Sequence, residues 1–231
     1  MKKLFIIIVS AILFTGMVQA QLPKLSKKEI AQGWKLLFDG KTSAGWKSYR
    51  TDRPFPERGW VIDNGVLTVD PEGRAGDIAT VEEFSDFELS IEFRITKGAN
   101  SGIKYFVLPG TTLGLEFQIL DDENHPDAKQ GRDGNRLQGG LYEMLPPINK
   151  KDKPIGKWNH ARIISKGNHV EHWLNGKKVV EFERFSPEWD ALIAASKYIA
   201  NPGWGTPKKS PILLQDHRDV VSFRNIKIRE L

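Results

Sequence analysis

Between Phe87 and Ile95 the chain alternates: Phe87, Leu89, Ile91, Phe93 and Ile95 are apolar, while Glu88, Ser90, Glu92 and Arg94 are polar. A period of two gives an extended strand one apolar face and one wet face. That apolar face must be buried against a second layer. Similar strand patterns recur along the chain: Trp34–Phe38 ending at Asp39-Gly40, Trp60–Ile62, Val66–Val69, Ile103–Leu108, Leu113–Leu120, Trp158–Ser165, His169–Leu174, Lys177–Phe182, Ile212–Gln215 and Val220–Ile228. Asn64-Gly65 and Asn175-Gly176 fall between paired runs, where a tight hairpin turn needs two residues with positive φ. Many antiparallel strands joined by short turns predict an all-β fold of two packed sheets. Helices are few. Ser26 and Glu29 form a capping-box pattern, and Ser186-Pro187 opens a segment in which Trp189, Leu192 and Ile193 recur at helical spacing.

The N-terminus predicts export. Lys2 and Lys3 precede an apolar run from Leu4 to Phe14, and Val18-Gln19-Ala20 suits a cleavage site after Ala20. The run is shorter than the roughly 20 residues that span a bilayer. Residues 1–20 are therefore expected to be a signal peptide, residues 21–33 a short leader, and residues 34–231 one domain that is periplasmic or secreted, with no membrane insertion after cleavage. Without cysteine the chain has neither a disulfide framework nor thiol chemistry, so stability rests on a core that 39% apolar residues can build. The net charge of +5 includes Lys2 and Lys3. The remaining Lys and Arg are interspersed with Asp and Glu, which excludes a nucleic-acid-binding block. Seven tryptophans either fill the core or stack on sugar rings.

Two strand ends gather groups suited to chemistry. In Leu115–Leu120 the alternation sends Leu115, Phe117 and Ile119 to the core and puts Glu116 and Gln118 side by side on the open face. The strand runs into the loop Asp121–Gln138, which begins Asp-Asp-Glu-Asn-His. Loops of that length, like Ala200–Ser210, are often functional. In Ile212–His217, Ile212 and Leu214 are assigned to the core, and Leu213, Gln215 and His217 to the other face, with Arg224 following soon after. An imidazole titrates near neutrality and suits proton transfer. Asn100-Ser101 in a glycine-flanked turn suits hydroxyl binding, and Tyr142 after Gly139-Gly140 is a further candidate.

These stretches, in order, resemble a known family: Leu37–Gly40 with Gly45-Trp46, Gly76–Thr80, Phe87–Arg94, Asn100–Ile103, Glu116–Asp121, Trp158-Asn159, Trp173–Gly176, Leu214–His217 and Val221–Ile226. From about Gly33 to the C-terminus the chain is similar to the exported sugar-active domains described as 3-keto-disaccharide hydrolases or 3-keto-glucoside lyase/hydratases. The resemblance implies a concanavalin A-like jelly roll and glycoside substrates oxidised to a ketone at C3. It implies abstraction of the C2 proton, expulsion of the C1 group and addition of water. Glu116 and His217 would supply the base and the acid, in either order. Asn100, Ser101, Gln118, Asp121, Tyr142, Gln215 and Arg224 would bind substrate hydroxyls or the developing oxyanion. A divalent metal on Glu116, Asp121 or His217 is the one cofactor left open. Ser186–Ser210 is longer than the usual connection and is expected to reshape the substrate mouth. Two other classes compete. A jelly-roll glycosidase would alternate acids along one strand, where this chain has Glu116, Gln118 and Leu120. A non-catalytic carbohydrate-binding module would rely on tryptophans and need no Glu-plus-His cluster.

Overall fold

The computed structural model describes residues 22–51 and 53–231. The expected signal peptide, residues 1–20, lies outside the described residues. Helix α1 (Lys27–Ala31) begins at the Ser26/Glu29 capping box. Thirteen strands follow: β1 (Lys35–Leu36), β2 (Trp46–Ser48), β3 (Trp60–Asp63), β4 (Val66–Val69), β5 (Ile78–Phe84), β6 (Phe87–Ile95), β7 (Asn100–Tyr105), β8 (Leu115–Leu120), β9 (Asn159–Lys166), β10 (His169–Leu174), β11 (Lys177–Glu183), β12 (Ser210–Leu214) and β13 (Val221–Glu230). Helix α2 (Pro187–Ala194), capped by Ser186, lies between β11 and β12. No helix among the described residues is long and apolar enough to cross a membrane.

The strands form two antiparallel sheets. One has eight strands in the order β11-β10-β9-β6-β13-β4-β3, with β1 also paired to β13; the other has five, β2-β5-β12-β7-β8. This is the expected two-sheet sandwich. The Asn-Gly turns take the positive φ they were expected to supply, 48° and 80° at Asn64-Gly65 and 50° and 79° at Asn175-Gly176. Alternation does not mark β2, which is too short, or β5, whose Val81, Glu82 and Glu83 are consecutively exposed. The Ile103–Leu108 run ends as a strand at Tyr105, because Phe106 turns to φ 48°.

The core lies between the sheets. Phe87, Leu89, Ile91 and Phe93 of β6 face Ile103 and Tyr105 of β7 and Phe117 and Ile119 of β8, all at most 1% exposed. Each such side chain contributes about 1.5–3 kcal/mol by leaving water. One polar link crosses this core: His172 Nε2 of β10 lies 2.7 Å from the Tyr105 hydroxyl of β7, and both side chains are buried. Burial holds the His172 imidazole down to about 4, so it sits there neutral.

The tryptophans divide between core and surface. Trp46, Trp60, Trp189 and Trp204 are buried. Trp34, Trp158 and Trp173 carry Arg or Lys cations over their rings.

Candidate active site

On the face of the five-stranded sheet turned away from the core lies a cavity of about 320 Å³. Strands β7 and β8 make its floor, with Lys104 directly opposite Glu116 and Gly102 opposite Gln118. Glu116 and Gln118 alternate with the core residues Phe117 and Ile119, as their spacing requires. The face is less open than expected, since Glu116 is 6% exposed and Gln118 1%.

Three features cover it. First, the segment after Gly139 runs along the free edge of β8: Gln118 N–H donates to Gly140 O, Gly139 N–H to Gln118 O, and Tyr142 N–H to Glu116 O. That closes an otherwise unpaired edge and brings Tyr142 to the cavity wall. Second, the Asp121–Gln138 loop folds back and presents His125 and Asp127. Third, the Ser186–Ser210 segment contributes Lys197 and Tyr198. It is anchored by a stack running from Phe182 through Trp189 and Trp204 to Tyr198, with centroid spacings of 5.3, 5.6 and 3.9 Å. It is also held by buried Arg184, whose Nη2 donates to Gly205 O and Pro207 O. The segment thus forms part of the cavity wall.

Two residues lining the cavity have buried side-chain atoms without partners. Both amide atoms of Gln118 are buried without a hydrogen bond, as is Gln215 Oε1. Stranding a buried polar group costs about 1–3 kcal/mol, so such groups mark places where a ligand's hydroxyls can complete the bonding. The Glu116 carboxylate pairs with Lys104, Nζ to Oε2 3.9 Å. Burial pushes the Glu116 carboxyl above the ordinary glutamate range. Lys104 opposes this, Asp77 reinforces it, and Lys197 and His217 pull it down. Burial also lowers the Lys197 ammonium and raises the Tyr142 phenol.

At the rim stand two imidazoles, His125 and His217, with ring centroids 5.9 Å apart at 77°. His217 Nδ1 lies 3.7 Å from Asp219 Oδ2, and that oxygen accepts the Asn100 N–H at 3.0 Å. His125 Nδ1 accepts the Asp127 N–H at 3.1 Å, so its neutral ring carries the proton on Nε2 and acts as a donor.

Of the residues expected from sequence, Glu116, Gln118, Asn100, Gln215, His217 and Tyr142 line the cavity together. Three do not. Ser101 points to the opposite side of β7 and is fully buried, its hydroxyl donating to Gln215 O; it holds the strand that leads to His217. Asp121 accepts from the Gly98, Glu123 and Asn124 N–H groups and from the Asn124 amide. Its oxygens are used in tying down the His125 loop. Arg224 lies on β13 in the eight-stranded sheet, bound to Glu92 and stacked over Trp158, on the far layer from the cavity.

Of the three residues on which the sequence leaves a divalent metal open, Asp121 has its oxygens engaged in its loop, while Glu116 and His217 line the cavity. The ligand-spaced group beside the cavity is His125, His217 and Asp219, with atoms within 4.8 Å of one another. It fits a cation poorly: His125 Nδ1 is an acceptor, and a ring ligating through Nε2 needs its proton on Nδ1. Residues that sequence reasoning did not single out are Lys104, Asp127, Lys197 and Tyr198, together with His125, noted only as part of its loop. Lys104 was within reach, standing two and four places beyond Gly102 and Asn100 on the same face. No local signal points to Lys197.

None of the seven tryptophans lines the cavity, which removes the feature a tryptophan-based binding module would use there. Comparison with known proteins places the chain among glycoside-cleaving, carbohydrate-active enzymes. A candidate glycosyl hydrolase from Parabacteroides distasonis superposes with a TM-score of 0.80 at 31% identity, covering 91% of this chain and 100% of that one. A second from the same organism gives 0.64 at 30% identity, covering 86% and 99%. The chain belongs to the 3-keto-alpha-glucoside-1,2-lyase-like domain family, whose model matches residues 33–229. It is 34% identical to a 3-keto-disaccharide hydrolase of Bacteroides thetaiotaomicron, across 92% of this chain and 83% of that protein.

Proposed function

We propose that this chain is an exported enzyme that cleaves 3-keto-glycosides by elimination and rehydration, with Glu116 as the base. The observation that carries this reading is the pairing on β8: a buried carboxylate beside a glutamine whose two amide atoms are both unpartnered. A ketone at C3 acidifies the C2 proton. Burial makes Glu116 a stronger base than a solvated carboxylate, and it takes that proton. The electrons left at C2 form the C1–C2 double bond as the C1–O bond breaks, and the leaving oxygen takes a proton from His217 at the rim. Water then adds at C1 and a proton returns to C2. Gln118, Asn100 and Gln215 hold ring hydroxyls, and the His125 Nε2–H donates to an oxygen that gains charge. Direct hydrolysis would instead need two free carboxylates across the bond. Asp127, the other carboxylate of the cavity, is bound by Arg136.

The test uses a 3-keto-glucoside carrying deuterium at C2, with the unoxidised glucoside as control. The keto-sugar is turned over with loss of deuterium to solvent, and the control is not. Glu116→Gln lowers turnover by about a hundredfold or more, the usual weight of general base catalysis. Product that keeps its C2 deuterium would overturn the elimination in favour of displacement at C1.

A further inference from the structure

Beside Glu116 on the cavity floor, Lys104 and Asp77 carry charges that the proposed reaction does not use. Lys104 Nζ is 3.9 Å from Glu116 Oε2 and 3.9 Å from Asp77 Oδ2, and all three side chains are at most 10% exposed. Asp77 does not line the cavity. It is clamped in place: its Oδ1 accepts the Asp216 N–H at 2.9 Å, while Asp216 Oδ2 accepts the Gly76 N–H at 2.9 Å. Two buried carboxylates thus share one ammonium, which leaves the group one positive charge short of balance.

We infer that Asp77 and Lys104 are positioning residues, a buried pair behind Glu116 that sets how tightly the base holds its proton. The inference rests on the reading of Glu116 as base, but the property it concerns is measurable without substrate. Lys104 favours the ionised carboxylate, and Asp77 draws part of that support away. Burial raises both carboxyls, and Lys104 opposes the rise at each. Other charged or titratable groups face Glu116 from the remaining elements: Lys197 and Tyr198 from the segment after α2, His217 from the loop after β12, and Tyr142 from the segment along β8. The charges acting on Asp77 are instead Lys104, Asp216 and Arg50, so exchanging Asp77 isolates the effect of the pair.

The experiment is a carboxyl ¹³C NMR titration of the mature protein labelled at glutamate, with the Glu116 signal identified by its loss in Glu116→Gln. Asp77→Asn keeps an oxygen for the Asp216 N–H and removes the competing charge. Two charges flanking one lysine at this distance are at most about 8 Å apart, so the Glu116 midpoint falls by about one pH unit. Lys104→Met removes the nearer charge, and the midpoint rises by about two pH units or more. The acid limb of kcat/KM on a 3-keto-glucoside moves in the same two directions. A Glu116 midpoint unmoved in Asp77→Asn, or shifted upward, overturns the inference, and that variant decides the matter even if Lys104→Met does not fold. Shifted midpoints in a protein with no activity on keto-sugars would leave the pair standing and sink the catalytic reading. Normal turnover with unmoved midpoints would do the reverse.

Discussion

Gly102→Ala should separate folding from catalysis. Gly102 lies within β7, and a Cβ built on it would stand 2.1 Å from Glu116 Oε1, 2.8 Å from Cδ and 2.9 Å from Cγ. All three atoms belong to one side chain that is free at its end. The backbone at Gly102 is an ordinary strand whose carbonyl accepts the Gln215 N–H at 3.0 Å, so alanine fits it without strain. Replacing a strand glycine by alanine gains roughly 0.5–1 kcal/mol, and driving Glu116 off its rotamer costs about 0.5–1.5 kcal/mol. Net stability should stay within about 1 kcal/mol, a shift of roughly 2–4 °C in Tm for a domain of this size. Catalysis fares differently. The Glu116 carboxylate must retreat by about 1 Å or more, and a misplacement of that order costs about a hundredfold in rate. The assay pairs a thermal melt with turnover of a 3-keto-glucoside, in Gly102→Ala alone and combined with Glu116→Gln. The double variant should be no slower than Glu116→Gln alone, because both changes act through one carboxylate. A folded Gly102→Ala protein with full activity would refute the claim that Glu116 works from its place above β7. A large loss of stability would refute the claim that its carboxylate is free to move.

Two further outcomes are expected. Exhaustive chelation should leave turnover unchanged, since Asp121 is engaged and His125 is held as a donor; activity lost to a chelator and restored by a divalent ion would show instead that the His125 loop rearranges around a metal. Intact mass of protein recovered from outside the cytoplasm should correspond to a chain beginning at or near Gln21, and a retained Met1 would sink the export reading.

Much of the site can be derived from local pattern. Alternation about Phe117 places Glu116 and Gln118 on one face, the same rule places Gln215 and His217 beside Leu213, and Asn-Gly pairs and serine caps mark hairpins and helix starts. These properties belong to a strand or turn by itself, and a single segment contains all the information they need. Alternation also sets Arg224 opposite the core residue Phe223, correctly, yet it cannot say which sheet β13 joins. Pairing with β6 puts Arg224 on the far layer. Lys104 shares the face of Asn100 by spacing alone, but its meeting with Glu116 depends on the β7–β8 register. Asp77 and Lys197 act electrostatically on the same carboxylate from distant parts of the chain. Periodicity orients a side chain relative to its own backbone, whereas its neighbours are chosen by strand order, register and the folding back of loops. Those depend on contacts between segments far apart in sequence, which is why the face carrying Glu116 and Gln118 was legible from the sequence and the charges around Glu116 emerged only in the folded chain.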